Sequence, residues 1–185
     1  MFPEIHKGGV TSFSWGPALP PINFQEDFDN LYSKENNAMP SNYLPMRIVT
    51  CGGDGLLKII EFEKNESISV TDIDKFANAM PIDVAWLNYV GYSEDVIAIC
   101  CSDKTVNFMK KESGESWTDR DIDPIKLDED AAKVCWSHCG AYLGVTMRNN
   151  KIRIFQENLD DTWEEVEVNQ KNINPMMQMN NKMNF

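Results

Sequence analysis

Three stretches of the chain read alike: Ser12-Phe13-Ser14-Trp15, Asp83-Val84-Ala85-Trp86 and Lys133-Val134-Cys135-Trp136, each polar or charged, then apolar, small, and Trp. Each is followed by a second apolar run, a polar turn and a third apolar run. The second runs are Arg47 to Cys51, Val96 to Cys100 and Tyr142 to Thr146. The turns are Gly52-Gly53-Asp54-Gly55, Cys101-Ser102-Asp103-Lys104 and Met147-Arg148-Asn149-Asn150, and the third runs are Leu56 to Ile60, Thr105 to Met109 and Lys151 to Phe155. A more polar stretch closes each unit: Ser67 to Val70, Trp117 to Ile122, and Trp163 to Val168.

The turn residues Asp54, Asp103 and Asn149 are spaced 49 and 46 residues apart. That is slightly above the ~40–45 residues of a four-stranded propeller blade. Asp and Asn suit such turns because they tolerate positive φ and bond their own backbone. The apolar runs are nearly continuous instead of alternating, which means that both faces of each sheet are covered. Blades sandwiched between neighbours meet that condition, and no stretch carries a helical period. The pattern predicts an all-β chain, a partial β-propeller of about three four-stranded antiparallel blades. The propeller region is 5–170, with blades at about 5–74, 80–123 and 131–170. An all-β sandwich with regularly spaced strands is the alternative.

Two segments break the pattern. Residues 17–45 form an acidic insertion carrying Pro17, Pro20, Pro21, Pro40 and Pro45, read as a long surface loop. Residues 171–185 are rich in Asn and Met without a period and read as a disordered tail.

Charge and composition narrow the function. The 185 residues hold 17 Lys and Arg against 29 Asp and Glu, a formal charge of −12, and 42% are hydrophobic. Such a balance speaks against nucleic acid and anionic membrane surfaces, which need clustered cations. The longest wholly apolar run, Val96 to Cys101, is far short of the ~20 residues of a spanning helix. The start has no basic stretch followed by an apolar one, so no signal peptide is expected. Five cysteines, an odd number set mostly in strand-like runs, suggest buried thiols in a reducing compartment rather than a disulfide framework.

Catalytic and metal chemistry find little footing. The only histidines are His6 and His138, so a Cys139–His138 nucleophilic pair rests on sequence adjacency alone. Cys135, His138 and Cys139 lack the second half of a paired zinc-ligand motif. Gly52-Gly53-Asp54-Gly55 is followed by Leu56-Leu57 and a strand, not by the Lys-Ser/Thr and helix of a phosphate loop. The acidic clusters Asp119 to Asp123 and Asp128 to Asp130 lack the spaced ligands and glycine of a calcium loop and read as solvated charge. No enzyme activity, metal or cofactor is expected.

The units resemble Trp-Asp repeats. His6 lies nine residues before Trp15 with Val10 between them, and Thr50 and Asp54 fall where such repeats place their Ser/Thr and turn Asp. The repeat's terminal Trp is replaced by Ile60, Met109 and Phe155, and its His by Ala77 and Leu127 in the second and third units. His6, Trp15, Thr50, Asp54, Trp86, Asp103, Trp136 and Asn149 are accordingly structural repeat positions.

The stretches Val10 to Ala18, Gly52 to Ile59, Ile82 to Trp86, Ser102 to Val106 and Asn150 to Leu159 running to Trp163-Glu164 look like the last half of the Sec-thirteen family propeller. The insertion after Gly16-Pro17-Ala18 falls where that family also carries one. The resemblance implies a non-enzymatic scaffold subunit of the COPII vesicle coat, in transport from endoplasmic reticulum to Golgi, and of the nuclear pore Y-shaped complex. It implies an open propeller completed by a β-blade from a helical-solenoid partner, and a place on the cytosolic face of the endoplasmic reticulum, on coat vesicles and at the pore. Ile152, Ile154 and Phe155 of the last unit are the candidate contacts to that blade, with packing against the preceding unit open for each. A related nucleoporin propeller, another Trp-Asp adaptor or a peptide-reading module are the alternatives. Because propellers typically need about four to eight blades, three units read as half a ring. The isolated chain is expected to oligomerise or to depend on missing blades.

Overall fold

The computed structural model describes residues 4–17, 46–62, 67–73, 79–88, 94–112, 117–119, 123–160 and 162–166. Most of the insertion, the tail and Ala77 lie outside these residues. The first sheet runs in chain order through β1 (Val10–Trp15), β2 (Met46–Gly52), β3 (Leu57–Phe62) and β4 (Ile68–Ile73). The second runs through β5 (Pro81–Trp86), β6 (Glu94–Cys101), β7 (Thr105–Glu112) and β8 (Thr118–Asp119), and β9 (Ile125–Lys126) pairs with the near end of β7. The third runs through β10 (Ala131–Trp136), β11 (Tyr142–Met147), β12 (Ile152–Glu157) and β13 (Trp163–Glu165). All pairings are antiparallel. No described residue is helical, so the described chain is all-β, three repeated sheets in the manner of partial Trp-Asp propeller blades.

The repeat extends to register. Trp15, Trp86 and Trp136 stand opposite Ile48, Ile97 and Leu143 on the second strands. Each first strand also carries one irregularity at the same place, at Val10/Ser12, Pro81/Asp83 and Ala131/Lys133. A bulge there inserts one residue and re-aims the strand that follows.

The turns repeat too. The side-chain oxygens of Asp54, Asp103 and Asn149 each accept the N–H two residues on, from Leu56, Thr105 and Lys151, at 3.2 Å. Positive φ, expected of the Asp or Asn, falls one residue later instead, at Gly55 (77°), Lys104 (64°) and Asn150 (66°). The earlier side chain closes the turn and the next residue takes the left-handed backbone, a conformation that costs glycine least.

The core is two layers, one at each joint between sheets. Val49, Cys51, Leu57 and Ile59 of the first sheet pack on Val84, Trp86, Ile97, Ile99 and Met109 of the second. Ala85, Ala98, Cys100, Val106 and Phe108 on the second sheet's other face pack on Val134, Leu143, Val145, Met147 and Phe155 of the third. Successive β6 residues face opposite joints, which is why Val96 to Cys101 is apolar without alternation. Trp163 stacks on Phe108 at 4.8 Å and 5° across the second joint.

Of the cysteines, Cys51, Cys100 and Cys101 are buried, but Cys135 and Cys139 are exposed. The expectation of burial is corrected for both. Cys135 lies on the face of β10 that no described sheet covers, and Cys139 lies in the turn beyond it.

Candidate functional site

His6, Thr50 and Asp54 come together across the opening of the first sheet. His6 is buried, its Nδ1 is 2.8 Å from Asp54 Oδ1, and its Nε2 is 2.8 Å from the Thr50 hydroxyl. A carboxylate only accepts, so the Nδ1–H donates to it. The N–H groups of Lys7 and Leu56 donate to the same carboxylate at 3.0 and 3.2 Å. Partial burial pushes the Asp54 acid up, but the bonds from His6, Leu56 and Lys7 outweigh it and hold it below its ordinary value. Gly52 makes room for the ring: a Cβ there would sit 2.3 Å from His6 Cγ. The arrangement ties the segment before β1 to the β2–β3 turn.

The other repeat positions stay apart from this cluster. Asp103 accepts the Thr105 hydroxyl at 2.6 Å, and Asn149 closes its own turn. Leu127, in place of the histidine in the third unit, is buried and donates its N–H to the Lys104 carbonyl at 2.9 Å. Trp86 is buried in the first joint and Trp136 is half-buried in the second, whereas Trp15 stands on the uncovered face of the first sheet.

Polar bonds also cross both joints. Asp83 is buried; one of its oxygens accepts the Ser12 hydroxyl and the other accepts the Val134 N–H at 2.8 Å. A single carboxylate on β5 thus engages both flanking first strands. The Trp86 N–H donates to Ser14 Oγ at 2.9 Å, and the Trp136 indole donates to the Ala85 carbonyl at 3.0 Å. Arg47 and Asp95, both buried, form a two-point ion pair between β2 and β6, with one contact at 3.1 Å. The guanidinium also lies 4.9 Å from the centre of the Trp86 ring. Sequence reasoning missed this pair, because neither residue occupies a repeated position.

Two sheet faces have no described neighbour. On the first sheet Phe13 (60% exposed), Trp15 (49%) and Met46 (58%) stand beside Ile48 and Ile60. On the third, Ile152 (70% exposed) and Ile154 stand with Tyr142, Gly144 and Cys135. Phe155 is thereby corrected as a partner contact: it alternates with Ile154, turns the other way and is buried in the second joint. Beside it Arg153 is held two-pointed by Glu165 at 2.9 and 2.6 Å and by Asp128 at 2.8 Å. The Arg153 bond keeps the Glu165 acid below its usual range.

Residues 91–182 match the model of the anaphase-promoting complex subunit 4 WD40 domain. The chain is 30% identical over 164 residues to "Protein transport protein SEC13" of Yarrowia lipolytica, covering 88% of this chain and 51% of the relative. It is 32% identical over 174 residues to the protein of the same description from Neurospora crassa, covering 89% and 51%. The match to that of Aspergillus clavatus is 30% over 166 residues, covering 88% and 51%. The chain therefore spans about half the length of the curated relatives it matches. Those relatives carry transport-protein names, and they and the WD40 match point to a structural family. Sheet order, the three repeated registers and these matches together make the chain a WD-repeat, SEC13-like protein.

Proposed function

We propose that the protein is a non-enzymatic scaffold subunit in protein transport, working in the COPII coat and in the Y-shaped nuclear pore complex. Its ring is completed by a β-blade from a helical-solenoid partner. One observation carries this reading: the third sheet ends the stack with an apolar face, Ile152 and Ile154 beside Gly144, uncovered by any described residue. Every apolar face inside the stack is closed by another sheet. Strand addition gives affinity through backbone bonds and selectivity through side-chain pockets. The transport-protein names of the relatives support the setting. The place of action is then the cytosolic face of endoplasmic reticulum membranes and vesicles, and the pore.

The test is purification of the tagged chain from its own cells under mild cross-linking. A stoichiometric helical-solenoid protein, lost on Ile154→Asp, is the expected result. A short peptide captured with no solenoid protein would overturn the reading in favour of a peptide-reading module.

A further inference from the structure

Two positions of the repeated first strand close each described joint. The position three residues before the tryptophan is Ser12 in the first sheet, Asp83 in the second and Lys133 in the third. Ser12 gives its hydroxyl to Asp83 across the first joint, and Asp83 takes the Val134 N–H across the second at 2.8 Å. The position just before the tryptophan is Ser14, Ala85 and Cys135. Ser14 Oγ takes the main-chain N–H of Trp86 at 2.9 Å, and the Ala85 carbonyl takes the Trp136 indole at 3.0 Å. Each joint thus combines a polar bond from the first position with a tryptophan of the next sheet held at the second.

On the third sheet these two positions are unspent. Val134 and Trp136 turn into the second joint, which leaves Lys133 and Cys135 exposed on the open face. Opposite them on β11 stand Thr146 and Gly144, where the second sheet has Cys100 and Ala98. Cys135 Sγ lies 3.4 Å from where a Gly144 Cβ would be, so a thiol and bare backbone floor the slot. Lys133 forms no ion pair with any described residue. Its ammonium stands where the other two sheets place a hydroxyl and a carboxylate, both engaged with the neighbouring first strand.

A blade laid on this face takes the Lys133 ammonium out of water, and a buried charge is tolerated only against an opposite charge that bonds it. We propose that Lys133 selects the partner's blade by its charge. The first strand of that blade carries an Asp or Glu over Lys133 and, three residues on, a tryptophan in the slot of Cys135 and Gly144. This is the spacing of Asp83 and Trp86, which meet Ser12 and Ser14 in the same way at the first joint. The partner's indole N–H takes the Cys135 carbonyl, as Trp136 takes that of Ala85. A blade with a neutral or basic residue over Lys133 is rejected, because it leaves the ammonium buried and unpaired. The inference rests on the scaffold reading above and adds which blade the face accepts.

The experiment is carbodiimide cross-linking of the tagged chain with the solenoid protein that co-purifies with it, read by peptide mass spectrometry. Carbodiimide joins an ammonium to a carboxylate in contact with it. The expected product links Lys133 to an Asp or Glu of the solenoid protein standing three residues before a tryptophan. Lys133→Glu should weaken capture about tenfold or more, and Lys133→Arg should keep it. Lys133→Glu together with Lys in place of the linked acid should restore it. Lys133 is exposed and lies outside both core layers, so these variants leave the packing of the sheets intact. Capture by Lys133→Glu equal to that of the wild-type chain overturns the inference. So does the absence of a Lys133 link to the solenoid protein, or a link to an acid without a tryptophan at that spacing. If Ile154→Asp still abolishes capture in those cases, the scaffold reading stands without this inference. A wild-type chain that captures no solenoid protein defeats both.

Discussion

Arg47 and Asp95 form a buried ion pair across the first joint although 48 residues separate them, and the Trp86 indole donates to the same Asp95 carboxylate at 3.4 Å. The cation is thus held between a carboxylate and an aromatic face, all of them withdrawn from water. Taking two charges into such a place has a desolvation cost that only their mutual bonds offset.

Removing one partner should therefore cost far more than removing both. Asp95→Leu is expected to destabilise by about 3–5 kcal/mol, because it strands the Arg47 guanidinium, and Arg47→Met with Asp95→Leu should recover most of that loss. Urea unfolding at one fixed chain concentration measures both, the concentration being held because association shifts apparent stability. Equal losses in the single and double variants would refute the account.

Gly52→Ala should displace the His6 ring, since the new methyl would lie 2.3 Å from Cγ. Overpacking of this kind costs about 1–3 kcal/mol. In a His6→Ala background the same change should become nearly neutral. The two losses combined should fall short of their sum by at least ~0.5 kcal/mol, as expected of residues in contact.

The bonds from His6, Leu56 and Lys7 hold the Asp54 pKa below its ordinary value in the folded chain. Its charge therefore stabilises the fold above the ordinary carboxylate value, and that contribution is lost as pH falls through the lower, folded value. Asp54→Asn keeps an acceptor for the Leu56 N–H, the role Asn149 fills in the third unit, and removes the charge. The melting-temperature gap between wild type and variant should be open at pH 7 and close as pH drops below the carboxylate range. A gap that stays constant would rule out the ionic part of the His6–Asp54 contact.

The thiols should separate by reactivity. A hydrogen bond with the Ser137 hydroxyl lowers the exposed Cys139 thiol, while burial raises Cys51 and Cys100 and pushes Cys101 up to about 12. Thiolate is the reacting form, so Cys139 should label at a lower pH than an ordinary thiol, and Ser137→Ala should move its profile upward. Cys51, Cys100 and Cys101 should label only on unfolding. Peptide mass spectrometry after pulse alkylation reads all of these.

What could be read beforehand follows the repeat. The motif ending in Trp15, Trp86 and Trp136 places the first strands because one spacing rule acts on three local stretches. The turn residues show through for the same reason. Arg47, Asp95 and the double bonding of Asp83 depend on how sheets face one another, and no local pattern encodes that. Phe155 was mislaid by a different route. An unbroken apolar run conceals which of two alternating faces a residue takes, and only the preceding sheet decides it. Cys135 looked buried by the same reasoning, from a strand whose other face has no described cover.

The fourth strands were less legible. Of the stretch read as closing the second unit, 120–122 lie outside the described residues and Thr118–Asp119 pairs as β8, while β9 supplies a second short pairing on β7. Polar strands near the outer edge carry few apolar positions, so their ends follow the pairing of the neighbouring strand more than their own composition.

The shared Asp83 carboxylate has a mechanical meaning. Ser12 pulls on one oxygen and Val134 on the other, so a load applied to the third sheet reaches the first through a single side chain. Three sheets tied this way carry tension along the whole stack, instead of letting each joint yield on its own.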